Sequence, residues 1–271
     1  MTDRNAFSLF PVTLVDVPTL AKYSAEAFLV DRQTQMKGLA KVPYDLEDVA
    51  RSHMSDYFTD PAYLKHSRLI KAVDNATGEI MGHAWFKFVN FDPKDVPTLE
   101  GRTKPLVEND QVSASDVGLG PEQQQSVLES VKGAGAWRKF SSSDEEDPIK
   151  RLESLTGGDM MRWLKTFEPE GLKVIRVVGL TTAPKYQMRG VGSALLRFAT
   201  SVADKMEVYC WVHSSEPAWG AYAKSGFKVV GTLDVDLDEY APGPPPKEEE
   251  GDGKWGHYVF RYMQYFPSKS Q

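Results

Sequence analysis

The chain has 271 residues, 38 of them acidic against 32 basic, for a net charge of −6. That length is enough to bury a full core, and the acidic balance argues against a nucleic-acid surface while suiting a cationic amine substrate. A single cysteine, Cys210, excludes an internal disulfide framework, and no apolar run reaches the roughly 18 residues of a membrane-spanning helix. The opening MTDRNAFSLF has neither the basic region nor the apolar stretch of a signal peptide, so a cytoplasmic protein is expected.

Phe7 to Val15 alternates as a first or edge strand, and Asp16 is placed to cap a helix that opens at Pro18. That helix, about Thr19 to Val30, carries Leu20, Tyr23, Ala27 and Val30 on one face. A second helical stretch starts at Pro43-Tyr44-Asp45 and runs through Val49, Met54, Tyr57 and Phe58 until Asp60-Pro61 breaks it. Arg68 to Val73 and Ile80 to Val89, separated by Asp74-Asn-Ala-Thr-Gly78, read as a β-hairpin that contains Gly82-His83-Ala84-Trp85.

Residues 90–165 form a long, Pro- and Gly-punctuated connection. Within it Glu122 to Lys132 reads as one helix, and Pro148 to Phe167 as another interrupted at Gly157-Gly158; Ser141 to Asp147 reads as a solvated acidic loop. This stretch is either a lid, an interface or decoration.

Residues 172–227 carry the densest signal. Val174 to Leu180 is an apolar, β-branched run of strand length, with Thr181, Thr182 and Pro184 stopping the ladder. The turn Gln187-Met188-Arg189-Gly190-Val191-Gly192 precedes a segment whose apolar residues Val191, Leu195, Phe198 and Val202 recur at helical spacing. Glycines let the backbone approach a ligand, and the free N–H groups of a helix's first turn make a phosphate site, to which Arg189 adds charge. The turn lacks the Gly-Lys-Ser/Thr ending of a nucleoside triphosphate loop, and Leu195 stands where a dinucleotide fingerprint needs its third glycine. Glu207 to His213 alternates as a strand, and Ala218 to Lys224 reads as a helix ended by Gly226. Lys228 to Leu237 and Trp255 to Tyr265 then read as two antiparallel strands across the Pro/Gly/Glu-rich loop 240–256.

Gln-x-x-Gly-x-Gly between a strand and an amphipathic helix resembles the pyrophosphate loop of the GNAT N-acetyltransferases. Tyr222-Ala-Lys-Ser-Gly226-Phe227 resembles the Tyr-x-x-x-Gly-Phe signature that closes the same family's cofactor site. The likeness runs from about Arg68 to Val235 and is sharp in 172–235. It implies a single α/β domain over residues 1–271, with the mixed sheet of the GNAT fold and a long insertion between the third and fourth strands. It also implies acetyl-CoA as co-substrate, held by Leu180, Thr181, Thr182, Gln187, Met188, Arg189, Gly190, Val191, Gly192, Ser193 and Ser215, with Ser214 beside them.

By the same resemblance Tyr222 protonates the departing thiolate, a role suited to a phenol whose pKa of about 10 lies near that of a thiol. A base must also take a proton from the amine. His213, at the end of its strand where fungal-type relatives often carry a polar or acidic residue, is the candidate; Glu216 and Asp16 are weaker ones, and His83 is read as a packed strand histidine. No metal is implied, since the five histidines are scattered. The expected acceptor is a small-molecule primary amine, with no nucleic-acid or membrane partner and a monomer or homodimer as the assembly. A peptide lysine or N-terminal acetyltransferase, a non-catalytic acyl-CoA-binding module and a protein-interaction domain built on 90–165 stay open beside it.

Overall fold

A computed structural model describes residues 6–40, 45–99, 147–246 and 253–267. The predicted helix Glu122 to Lys132, the acidic loop before Asp147 and the start at Pro43-Tyr44 lie outside them.

Seven strands form one sheet in the order β1-β2-β3-β4-β5-β7-β6. They are β1 (Phe7–Pro11), β2 (Ser67–Asp74), β3 (Ile80–Val89), β4 (Val174–Thr182), β5 (Cys210–Ser214), β6 (Lys228–Asp236) and β7 (His257–Tyr265). Every neighbouring pair is antiparallel except β4 and β5. The hairpin β2–β3 and the closing pair β6–β7 form as their alternating patterns predict.

The helices divide between the two faces. On one side α1 (Val17–Phe28), α2 (Arg32–Lys37), α3 (Leu46–Thr59), α4 (Pro61–His66) and α5 (Pro148–Phe167) cover the sheet. Val17, Leu20, Met54 and Tyr57 pack there on Leu69 and Trp85, and Phe167 packs on Val174, Trp211 and Tyr262. On the other side α6 (Val191–Met206) and α7 (Trp219–Lys224) bury Leu195, Leu196, Ala199 and Tyr222 against Phe86, Ile175, Val177 and Val212. Cys210 lies in this second layer with its thiol pushed up by burial, an inert core residue.

Several expectations need correction. Strand β4 runs on to Thr182, because β3 still offers partners: Thr181 faces His83 and Thr182 faces Gly82. The first strand ends at Pro11, and Asp16 makes no cap bond to the helix that follows it; its carboxylate instead closes the capping box of the 3-10 turn Leu14–Asp16 by accepting from Thr13 N and Oγ1, and pairs with Lys71 Nζ at 2.6 Å. The buried stripe of α1 is Val17, Leu20, Ala21 and Ser24, leaving Val30 exposed. Strand β5 starts only at Cys210, since α6 continues to Met206 and Glu207 closes it in the left-handed region.

Helix α5 passes through Gly157-Gly158 without a break. Asp147 caps it by accepting from Ile149 and Lys150 N–H, and its two ends bury Ile149 and Leu152 in one cluster and Phe167 in another. Anchorage at both ends outweighs a cost of about 1 kcal/mol per glycine. Near its C-terminal end Trp163 stacks on Tyr262, ring centroids 4.6 Å apart, and abuts Gly231 of β6, where a β-carbon would stand 2.2 Å from the indole.

The same substitution therefore has opposite signs at two places. Gly157→Ala, in open space on an exposed helical surface, should stabilise the fold by about 0.5–1 kcal/mol. Gly231→Ala forces the indole off the sheet and should cost about 1–3 kcal/mol. Urea denaturation midpoints of the two variants check both.

Candidate functional site

The site begins at a defect in β4. Phe86 pairs with Val177 and Trp85 with Gly179, so Val178 is an extra residue in the ladder, a β-bulge. Parallel pairing with β5 covers only Ile175–Cys210, Arg176–Trp211 and Val177–Val212 and stops at that bulge. Beyond it, Gly179 to Thr182 stay bonded to β3, while His213 and Ser214 stay bonded to β7 opposite Tyr262 and Arg261. The two central strands are thus held from outside and parted from each other, which frees backbone groups along the cleft between them.

The predicted phosphate loop abuts the end of β4. Gln187 Nε2 donates to Thr182 O at 3.4 Å, and a β-carbon on Gly192 would stand 3.5 Å from Thr182 Oγ1 and 3.9 Å from Leu180 Cδ2. Leu180, Thr182, Gln187 and Gly192 are therefore brought together. Gly190 precedes α6 at φ +82°, a conformation costly for any residue with a β-carbon, and the 16-residue helix has no side-chain N-cap. The N–H groups of Val191, Gly192 and Ser193 make no hydrogen bond among the described residues, so the anion-binding end of a long dipole is left bare. Arg189 rests its guanidinium over Tyr186, 5.4 Å from the ring centre, and with Gly190 and Ser193 borders a groove of 1110 Å³ along α6. Met188 is 93% exposed and touches nothing that would fix a ligand. A pyrophosphate fits this loop on donor chemistry: three free amides, a helix terminus and a nearby guanidinium.

Tyr222 lies in the α6–α7 layer, 4% exposed, edge-on to Phe227 with centroids 5.6 Å apart. Phe227 N–H donates to Tyr222 O, and Phe227 packs in turn on Tyr265, so the Tyr-x-x-x-Gly-Phe spacing is a packing unit that fixes the phenol. Burial pushes its pKa up, and it stays protonated at neutral pH.

His213 points to the opposite layer. Its ring stacks on Tyr262 at 4.7 Å and Phe260 at 5.2 Å, and its Nε2 is buried without a hydrogen-bond partner. Desolvation pushes its pKa down to about 4 against the opposing pull of Asp159. His83, on the same face in β3, is 4% exposed with an unpartnered Nδ1 and is likewise pushed down to about 4 by burial. The remaining candidates are engaged elsewhere. Glu216 pairs with Arg32 Nη2 at 2.5 Å, Asp16 with Lys71, and the Ser214 hydroxyl donates to Ser215 O, which also accepts from Ala218 N–H. Sequence reading missed Arg32 because α2 has too little apolar periodicity to announce itself, and its partners Glu216, Trp255 O and His257 O are distant in the chain.

Residues 157–227, from the middle of α5 through α7 to Phe227, match the model of the acetyltransferase (GNAT) family. Two solved structures from the mosquito Aedes aegypti share its fold. One, a putative arylalkylamine N-acetyltransferase 7, is 14% identical at a TM-score of 0.53, with 96% of this chain and 87% of that one covered. The other, arylalkylamine N-acetyltransferase 2, is 10% identical at 0.51, with 97% and 99% covered. No curated protein matches the sequence. The mixed seven-stranded sheet of the GNAT fold, with its long connection between β3 and β4, agrees with the sequence expectation. No helix of the described residues is long and apolar enough to cross a membrane, and none of their side chains group as metal ligands.

Two neutral buried histidines give the domain a pH signature. Above pH 6.5 both are uncharged folded or unfolded, and their contribution is fully present. As pH falls from 6.5 towards 4, the unfolded chain takes up protons the folded one refuses, so stability drops by up to about 1.4 kcal/mol per pH unit for each histidine. Urea denaturation at pH 7.5, 6 and 5 should show a shallower slope for His83→Gln and for His213→Gln than for the parent; equal slopes would contradict the assignment.

Proposed function

We propose that the protein is an acetyl-CoA-dependent N-acetyltransferase that moves an acetyl group to the primary amine of a small molecule by direct attack, without a covalent enzyme intermediate. The observation that carries this reading is the parting of β4 from β5 beside the uncapped start of α6, with a buried phenol on one side of the gap and a neutral imidazole on the other.

Acetyl-CoA, when bound, supplies the acyl group as a thioester. The amides of Val191, Gly192 and Ser193, with Arg189, hold its pyrophosphate, and the freed backbone of Leu180 to Thr182 with Gln187 and Ser215 flanks the arm. His213 Nε2 is the candidate acceptor of the amine's proton; burial pushes its pKa down to about 4, so it is uncharged in the physiological range, and it acts as a base only once the bound amine opens its surroundings and lifts that depression. Tyr222 holds a proton on its hydroxyl for the leaving thiolate, and burial keeps it there until the thiolate forms. Acid and base thus stand in different layers, one on the cofactor side and one on the acceptor side. The aromatic lining around His213, from Phe260, Tyr262 and Trp163, favours a small apolar amine over a peptide backbone with its many polar groups.

The test is thiol release from acetyl-CoA across a panel of small amines and peptides, with calorimetric binding alongside. Turnover should appear with small amines, and Tyr222→Phe should lower kcat by roughly 10²-fold while leaving acetyl-CoA affinity unchanged. Binding without turnover across the panel would favour a regulatory acyl-CoA module, and absence of binding would overturn the loop assignment.

A further inference from the structure

A row of side chains crosses the α1–α5 face of the sheet away from the gap. Ser67 on β2 faces Lys87 on β3, Lys87 faces Arg176 on β4, and Arg176 faces Trp211 on β5. Two cations directly opposite each other on one face of an antiparallel pair repel, and burial makes that costly. Only one carboxylate answers them. Glu168 Oε1 stands 3.3 Å from Arg176 Nε, without hydrogen-bond geometry, and also accepts from Trp211 Nε1 at 3.1 Å. The Arg176 guanidinium lies 5.8 Å over the Trp211 ring as well, so Glu168 and Trp211 serve Arg176. Lys87 makes no ion pair or hydrogen bond among the described residues, and the adjacent Ser67 hydroxyl, 0% exposed, has no partner either.

Both unpartnered donors line one cleft of 510 Å³, with Tyr63 and His66 of α4 on one wall and Val89 and Asn90 on the other. Asp60, the one carboxylate of the lining, accepts from Ala62 N–H at the start of α4. Asn90 donates its amide to Pro169 O and Leu172 O. What the cleft lacks is an anion: two donors, one of them charged, and a surplus positive charge in a half-buried row.

We propose that this cleft is a binding site for a small organic carboxylate, which Lys87 and the Ser67 hydroxyl grip while its apolar part lies against Val89 and Tyr63. The site does not depend on the acetyl-transfer reading. Burial first, and then Arg176, push the Lys87 pKa down against the opposing pull of Glu168, which stands in ion-pair reach of Arg176 rather than of Lys87. The carboxylate has two sources: an acceptor that carries both an amine and an acid, or a separate effector.

The full chain is titrated with hexanoate, 6-aminohexanoate and hexylamine at constant ionic strength, followed by backbone amide shifts. Hexanoate and 6-aminohexanoate should perturb residues 67 and 87–90, and hexylamine should not. Lys87→Met should weaken both acids at least tenfold, Lys87→Arg should retain most of the affinity, and Ser67→Ala should lose several-fold. The dispersed amide spectra of all three variants should match the parent's away from the cleft, which shows that they fold. Acetylation of 6-aminohexanoate with competition by hexanoate identifies the acceptor's own acid group; hexanoate binding that does not compete with an amine acceptor identifies an effector. Amide shifts absent at millimolar hexanoate, or equal affinity in Lys87→Met, overturn the proposal.

Discussion

The extra residue at Val178 is the constraint on which the candidate site depends. A regular β4 would pair with β5 along its whole length and seal the middle of the sheet. With the bulge, pairing ends after Val177–Val212, and the strand turns away under its increased twist. The parting is defined because neither strand loses its outer neighbour: β3 holds Gly179 to Thr182, and β7 holds His213 and Ser214. Gly82 contributes at the far end, where its missing side chain lets β3 lie against Thr181 O; a β-carbon there would stand 2.4 Å from that oxygen. An opening made this way is a property of sheet hydrogen bonding and therefore as rigid as the sheet.

That opening joins two layers with different electrostatics. The α6–α7 side is apolar up to the bare amides of the α6 start, and Tyr222 there is neutral because it is buried. On the other side the sheet carries Lys71, His83, Lys87, Arg176 and His213 among aromatics. Each charge on that face is handled differently. Lys71 has Asp16, Arg176 has Glu168 and Trp211, the histidines stay neutral, and Lys87 is left over. The energetics of buried charge thus separate the candidate site near the gap, where groups are uncharged, from a row farther along β3 and β4 where a counter-ion is missing.

Sequence revealed what is local. The glycine turn, the amphipathic α6, the Tyr222-Gly226-Phe227 unit and both hairpins are each written within a few tens of residues, in patterns that turn chemistry and periodicity decode. It misled where tertiary packing outweighed local preference. Gly157-Gly158 reads as a break, yet α5 is anchored at both ends by Ile149, Leu152 and Phe167. Asp16 reads as a cap, yet a lysine on the next strand claims it. The Ser67–Lys87–Arg176 row was invisible for a related reason: register between strands places side chains opposite each other, and no window of sequence contains register.

The rim of the gap beyond β5 is fixed by long-range polar bonds of the same kind. Arg32 donates to Trp255 O at 2.6 Å and His257 O at 2.8 Å and pairs with Glu216, so its planar fork ties α2, the start of β7 and the loop after β5. Beside it Asp31 accepts from Thr34 N–H and from the Tyr258 hydroxyl at 2.7 Å, and that hydroxyl accepts from Glu216 N–H at 3.0 Å. Burial and the Asp31 charge push the Tyr258 phenol up, so it remains a donor. Moving the Glu216 carboxylate would unfasten three segments at once. Glu216 is thus engaged by Arg32, while His213, stacked on Phe260 and Tyr262, keeps a buried nitrogen without a hydrogen-bond partner.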